Sequence, residues 1–322
     1  MKAIERPSLK LILKLAFSAV LFLAFSCSPD PLVPQENLVA VYAKSKNTCT
    51  FDLKVLVRGA VLSGANGLDV GPDGNLYVGS VNGQEIVVMN KKNGKIIKRF
   101  GPESGVLGPD DLVFGPDETL YWTDILTGFV GRMTPDGQQL GYQYVAPGVN
   151  PITFSTDGRL FVALDFLGDG LYELDPNLVL PPRPIIVSAP ENPYPLGFFN
   201  GYDFGPDGRL YGPLFAAGMV ISVDVDPSNP VSSDPFVDGI AQVVATGFKN
   251  PASAKFGPDG LLYVLDQTGE VFKINIETGA KTLFTTLQPG LDNMVFDSDG
   301  SLYMTNNDEG WVAKILPNGK AH

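Results

Sequence analysis

Phe256-Gly257-Pro258-Asp259-Gly260-Leu261-Leu262-Tyr263 is one of six versions of a single unit in this 322-residue chain. The others run Val70 to Tyr77, Phe114 to Tyr121, Phe154 to Phe161, Phe204 to Tyr211 and Phe296 to Tyr303, at intervals of roughly forty to fifty residues. Each opens with a short apolar run, turns at a Pro-Asp-Gly-type corner and continues as Leu-Tyr-Val-type residues. Two more alternating runs follow; in the first unit these are Glu85 to Met89 and Ile96 to Phe100, separated by Lys91-Lys92-Asn93-Gly94. Asn-Gly and Asp-Gly corners accept positive φ, so every unit reads as a four-stranded antiparallel meander. One such sheet cannot bury both of its faces, but six arranged radially can. The expected fold is all-β, a six-bladed propeller.

The last unit is one strand short. It supplies Asn293 to Phe296, Leu302 to Thr305 and Trp311 to Leu316, while Phe51 to Arg58 ahead of the first unit forms an orphan alternating run. Pairing the two closes the ring and removes exposed edges. The propeller is therefore expected over residues 51–322, preceded by a targeting segment (1–26) and a Pro-rich tether (27–50). Lys2, Arg6, Lys10 and Lys14 precede the apolar run Leu15 to Phe25, which is short for a bilayer span. Ser26-Cys27-Ser28 then matches the pattern of a bacterial lipoprotein signal with Cys27 lipidated; plain cleavage after Ser26 is the rival. Both readings imply export, with a lipid anchor as the only membrane attachment. Cys27 and Cys49 are the only cysteines, and with Cys27 lipidated Cys49 is unpaired and a disulfide framework is excluded.

A net charge of −12 excludes the basic surface that nucleic-acid binding requires. The single histidine is His322, which removes Ser-His-Asp triads, His-ligated zinc and histidine bases. No Gly-x-Ser-x-Gly elbow, phosphate loop or dinucleotide fingerprint occurs. Nothing in the sequence calls for a second copy, and a monomer is expected.

In a propeller the first strand of each blade lines the axis. Aligning the units on Val70 and Phe114 puts Asn66, Asp110, Asn150, Asn200, Ala252 and Asp292 at one mouth of the channel. Oxygen-bearing tips converging there suit a hard divalent cation such as calcium. Capping of local turns is the competing role for each residue taken singly. The second strand is read as returning to the same mouth, ending at Ser80, Asp124, Asp165, Asp266 and Asn306. The turn aspartates Asp73, Asp117, Asp157, Asp207, Asp259 and Asp299 lie at the opposite end and are structural. Tyr194, Phe198, Phe199 and Phe215 are candidates either for the rim of the mouth or for burial between blades.

Asn200-Gly201-Tyr202-Asp203-Phe204-Gly205-Pro206-Asp207-Gly208 and Asp110-Asp111-Leu112-Val113-Phe114-Gly115-Pro116-Asp117 resemble strands of the senescence-marker-protein/gluconolactonase family. That resemblance implies a six-bladed propeller holding a divalent cation, usually calcium, at the channel mouth and hydrolysing lactones. The family pattern places Glu on the first blade, Asn on the third and fourth, and Asp on the fifth. Asn150 and Asn200 match it. Asn66 stands where Glu is expected and Ala252 where Asp is expected, while carboxylates appear instead at Asp110 and Asp292. The sequence expectation is a metal-assisted lactonase or esterase. Its metal ligands are Asn66, Asp110, Asn150, Asn200 and Asp292, and Asp292 or Asp110 activates water. A non-catalytic scaffold for a protein or glycan partner is the alternative. A synthase using a lone Glu ranks below both, because Glu173 and Glu270 fall on third strands.

Overall fold

The computed structural model describes residues 42–43, 51–58 and 62–316. The 1–26 segment, Cys27, Cys49 and His322 lie outside the described residues. Six antiparallel sheets make up the fold, five of them in sequential strand order and the sixth completed by strands from ahead of the first blade. Their innermost strands include Ala65–Val70, Pro109–Phe114, Val149–Phe154, Pro251–Phe256 and Leu291–Phe296. In the fourth blade only Asp203–Phe204 is regular at this position, extended by an isolated bridge between Phe199 and Leu214. The inner strands of blades 1 and 2, 2 and 3, 5 and 6, and 6 and 1 pack side by side, so the blades form a ring. Phe51–Arg58 pairs antiparallel with Trp311–Ile315 in the sixth sheet, and Tyr42–Ala43, inside the stretch read as a tether, pairs with Phe51 and Asp52.

The repeated octapeptide has a physical explanation at each position. The turn aspartate accepts the amide two residues on, as Asp73 does from Asn75 (3.0 Å) and Asp207 from Arg209 (3.1 Å). Its second oxygen accepts the tyrosine hydroxyl four residues on, in Tyr77–Asp73 (3.2 Å), Tyr211–Asp207 (2.8 Å) and Tyr263–Asp259 (3.1 Å). The tyrosine ring then lies over the glycine before the proline. A Cβ on Gly71 or Gly205 would stand 2.5 Å from Cε2 of Tyr77 or Tyr211, and one on Gly257 would be closer still to Tyr263. The motif phenylalanine packs edge-on against the tyrosine of the preceding blade. Tyr77–Phe114 (4.9 Å), Tyr121–Phe154 (5.0 Å), Tyr211–Phe256 (5.4 Å) and Tyr263–Phe296 (4.8 Å) repeat this contact around the ring. The turn aspartates are thus structural, as expected from the sequence.

The inner strands share a second feature. Each regular one slips register against its neighbour near its start: between Ala65 and Leu68, Pro109 and Leu112, Val149 and Ile152, Pro251 and Ser253, and Leu291 and Met294. Such β-bulges bend the strand and re-aim side chains. Asn66, Asp110, Asn150, Ala252 and Asp292 all sit inside them.

Glu118 holds the corner position that is glycine in the other five units, at φ 63°. Glu118→Gly is expected to stabilise the protein by about 0.5–1 kcal/mol through relief of the left-handed backbone, raising the melting temperature by about 1–3 °C. Gly257→Ala, which drives a methyl group into Tyr263, is expected to cost about 1–3 kcal/mol. Calorimetry of the two variants checks both signs; an unchanged midpoint in either would contradict this account of the motif.

Candidate functional site

A bulge sets two consecutive residues against the space that one would face in a regular strand, and the inner strands use this to build two levels of polar side chains. At the upper level Asp110, Asn150 and Asn200 are buried, whereas Asn66 and Asp292 are half-buried. Asn150 Nδ2 donates to Asp165 Oδ2 and to Asn200 Oδ1, both at 3.4 Å. Asn200 Oδ1 also accepts the Gly201 amide at 2.8 Å, so the turn-capping role and the converging role coexist in one side chain. Oδ1 of Asp110 and Oδ1 of Asp165 are buried without a hydrogen-bond partner. Asp110 senses the charges of Asp292 and Asp165, and Asp165 senses Asp292, so the three carboxylates share one mouth. Asn66 occupies the same level on blade 1 but is not joined to the others by these contacts.

The lower level is spent on structure, and sequence reasoning missed it. Asp111 accepts the amides of Leu112 (2.9 Å) and, on the next blade, Ile152 (3.1 Å). Asn293 reaches Asp111 from blade 6 at 3.0 Å, and its own oxygen accepts from Ser253 of blade 5 at 2.9 Å. Asp111, Asn293 and Ser253 therefore form a hydrogen-bonded chain joining blades 2, 6 and 5. Deeper still, Asp69 accepts the Phe114 amide (2.8 Å) and Asp203 the Phe256 amide (3.0 Å), each tying its blade to the next. Lys255 donates to Tyr202 O (3.0 Å), and its charge favours ionised Asp69 and Asp111.

The reading of the second strands needs one correction. Asp124 and Asp266 close their strands opposite Pro109 and Pro251, and both cap turns: Asp124 accepts from Leu107 (2.9 Å) and Gly108 (3.1 Å), Asp266 from Lys249 (2.8 Å) and Asn250 (3.1 Å). In blade 3 the corresponding residue is Leu164, opposite Val149, and Asp165 lies one residue further on. A shift of one residue reverses the side-chain direction. Asp165 accordingly turns toward Asn150, in the position held by Ile125 and Gln267 in blades 2 and 5. Counting from the motif leucine finds this in the sequence: Asp124 and Asp266 are four residues past Leu120 and Leu262, whereas Asp165 is five past Leu160.

Of the aromatic candidates, Phe199 is fully buried, Phe198 and Phe215 are half-buried and Tyr194 is exposed. Phe166, not anticipated, joins them: it stacks on Phe198 (5.4 Å) and meets Phe215 edge-on (5.4 Å), and Tyr194 meets Phe198 at 5.7 Å. Glu173 is bound by Arg159 (2.8 Å) and Arg183 on a third strand, as its sequence position implied.

No group of three or more His, Cys, Asp or Glu among the described residues stands close enough to hold a metal ion by itself. A cation here would need the amide oxygens as well. The donor set is oxygen throughout, with two orphaned buried carboxylate oxygens, and this chemistry fits a hard divalent cation.

No family model matches the sequence, and no curated protein matches it. Solved structures share the fold at low identity. A gluconolactonase from Xanthomonas campestris aligns at 14% identity over 90% of this chain and 100% of its own, with a TM-score of 0.67. A structure described as a putative gluconolactonase aligns at 15% identity over 84% and 94%, with a TM-score of 0.64. Virginiamycin B lyase from Staphylococcus aureus, as a histidine-to-alanine variant described as catalytically inactive and bound to quinupristin, aligns at 13% identity over 83% and 99%, with a TM-score of 0.59. At these identities the likeness establishes the six-bladed propeller.

Burial governs the ionisation of the mouth. It pushes Asp292 up to about 7, helped by the charge of Asp111, and raises Asp110 and Asp165 well above the usual carboxylate range. Asp69 and Asp169 rise to about 6 for the same reason. Asp69, Asp169 and Asp292 each bind a proton more tightly folded than unfolded, so their contribution is complete below the ordinary value of 3.8 and is lost as pH rises through 6 to 7. The lowered carboxylates, such as Glu173, titrate below that window. In chelator the melting temperature is therefore expected to fall between about pH 5 and pH 7.5, and Asp292→Asn to flatten part of the slope. A midpoint that rises over this range would contradict the description of the mouth.

Proposed function

We propose that the channel mouth is the active site of a hydrolase that opens a lactone or ester with the help of a divalent cation, calcium by donor type. The observation that carries this reading is Asp110. Its Oδ1 is buried and unpartnered beside Asp165 and Asp292, and the strongest influences on these three are burial, local hydrogen bonds and neighbouring acidic charge, with no lysine or arginine among them. Such a cluster is costly as an anion unless a cation meets it. Asp110, Asn150, Asn200 and Asp292 would hold the ion, with Asn66 completing the ring. When bound, it would polarise the substrate carbonyl.

The chain's own residues divide the remaining work. Asp292, half-buried and the less enclosed of the two carboxylates, is the candidate general base. It takes a proton from the water whose oxygen bonds to the carbonyl carbon. The carbon–oxygen bond to the leaving group then breaks, and that oxygen receives the proton, giving the hydroxy acid, or acid and alcohol. Asp110, almost wholly enclosed, would anchor the ion. The hydrolase reading is preferred to a lyase because the chain has a single histidine, His322, at its very end. The gluconolactonase neighbours support the same preference.

The amino-terminal pattern supports export, with Cys27 as the acceptor of a lipid anchor; mass spectrometry of the membrane fraction would read the modification directly. A scaffold role draws its support from exposed apolar residues on the long connections between the third and fourth strands of blades 3 and 4, Val179 and Val237 among them.

The purified propeller is expected to hydrolyse members of a lactone and aryl-ester panel, to lose activity in chelator and to regain it with calcium. Asp292→Asn is expected to lower kcat by about 10²–10⁴-fold. Activity that ignores chelator removes the cation, and activity unchanged in Asp292→Asn removes the assigned base; a fully inert wild type leaves the scaffold.

A further inference from the structure

The mouth is divided by polarity in a way that the repeat itself does not require. The loops that follow the second strands all open on the mouth, since their first residues bond to the segments leading into the inner strands: Val81 to Gly64, Ile125 to Gly108, Asp165 to Gly148, Gln267 to Asn250 and Asn307 to Gly290. In blades 5, 6 and 1 these loops read Gln267-Thr268-Gly269, Asn307-Asp308-Glu309-Gly310 and Val81-Asn82-Gly83-Gln84. In blades 2, 3 and 4 they read Ile125-Leu126-Thr127-Gly128, Phe166-Leu167-Gly168 after Asp165, and Phe215-Ala216-Ala217-Gly218. One half of the rim is mainly amide, acid and hydroxyl; the other is mainly aliphatic and aromatic.

The apolar half is built, not incidental. Leu126 is 64% exposed, Leu167 55% and Phe166 46%. Phe166 and Phe198 both hold left-handed backbone, at φ 55° and 70°, a conformation that bulky side chains rarely adopt. Strain of this kind persists where the surroundings enforce it, and it clusters at ligand clamps. It sets the two rings face to face, with Phe215 and Tyr194 at their edges. The shelf is continuous with the polar cluster: Phe166 directly follows Asp165, and Phe198 lies two residues before Asn200. The polar half abuts the opposite side, where Gln267 lies beside Asp292 and Asp308 adds charge.

We propose that the shelf of Leu126, Phe166, Leu167, Tyr194, Phe198 and Phe215 is a specificity subsite that holds the apolar alkyl or aryl group of an amphiphilic substrate. This deepens the hydrolase reading and rests on it for the identity of the bond broken. The carbonyl lies over the mouth cluster, the apolar group over blades 2 to 4, and water arrives across the polar rim of blades 5 and 6. A substrate moiety fits better than a lipid bilayer because the rings pack against one another and run into the carboxylates, whereas an anchor would project them singly.

The experiment measures equilibrium binding of valerolactams, inert to ester hydrolysis, from the unsubstituted ring to the octyl derivative, together with hydrolysis of the matching lactones. Affinity is expected to rise by about twofold to fourfold per methylene laid on the shelf. Phe166→Asn, which tolerates left-handed backbone, and the exposed Leu126→Ser should flatten that dependence while the melting temperature stays within a few degrees. Chain-length-dependent binding without hydrolysis of any lactone would uphold the shelf and reject the hydrolase reading. Affinity independent of chain length would overturn the shelf even if lactones are hydrolysed. So would flat lactam binding accompanied by cosedimentation with phosphatidylcholine vesicles that Phe166→Asn abolishes, since the rings would then be a membrane contact.

Discussion

The ring rests on a contact repeated at four of its six blade junctions, the edge of a motif phenylalanine against the tyrosine of the blade before it. A blade exposes two apolar faces and cannot satisfy them within itself. The contact joins neighbours at a fixed angle, and the tyrosine is held for it by its own turn, ring over a glycine and hydroxyl on the turn aspartate. Aromatic edge contacts of this geometry add about 0.5–1.5 kcal/mol each beyond burial. Their larger effect is positional. They set how closely the inner strands approach, and hence whether side chains from different blades can meet on the axis.

Close approach explains the division of labour between the two bulge levels. On blade 1 the lower position is Gly67, where any Cβ would run into Asp111. On blades 2, 5 and 6 the lower side chains are Asp111, Ser253 and Asn293, and each finds its partner on another strand. The lower level is thereby saturated, and Lys255 offsets its charge. The upper level faces the mouth and has no such closure. Asp110 and Asp165 each retain an oxygen that the protein leaves unbonded. A carboxylate at this depth raises its pKa or recruits a cation, and both outcomes serve chemistry at neutral pH.

Much of this was legible in the sequence because the repeat is a physical unit. Phe-Gly-Pro-Asp-Gly fixes the corner, the corner fixes the alignment, and the alignment named Asn66, Asp110, Asn150, Asn200 and Asp292 as neighbours at one mouth, of which the contacts join all but Asn66. The bulge was not legible. Period-two reasoning sends Asp111 and Asn293 away from the face taken by Asp110 and Asp292, whereas the slipped register keeps both members of each pair in the channel. Asp69 and Asp203 were invisible for another reason: they accept amides from blades more than forty residues away, and a local pattern carries no trace of that.

Asp165 shows how a small register difference turns a structural residue into a chemical one. In blades 2 and 5 one oxygen of the strand-ending aspartate accepts the two amides that lead into its own inner strand, which fixes the carboxylate there. In blade 3 the strand ends at Leu164, so no carboxylate occupies that capping place. Asp169 instead accepts from Leu196 (3.0 Å) and Gly197 (2.7 Å), on the segment leading into blade 4. Asp165 is thereby free to face the mouth, and Phe166 is carried onto the rim beside it. The same loop thus supplies a carboxylate to the polar cluster and an aromatic ring to the apolar half. The asymmetry of the mouth originates at this point, where blade 3 departs from the repeat.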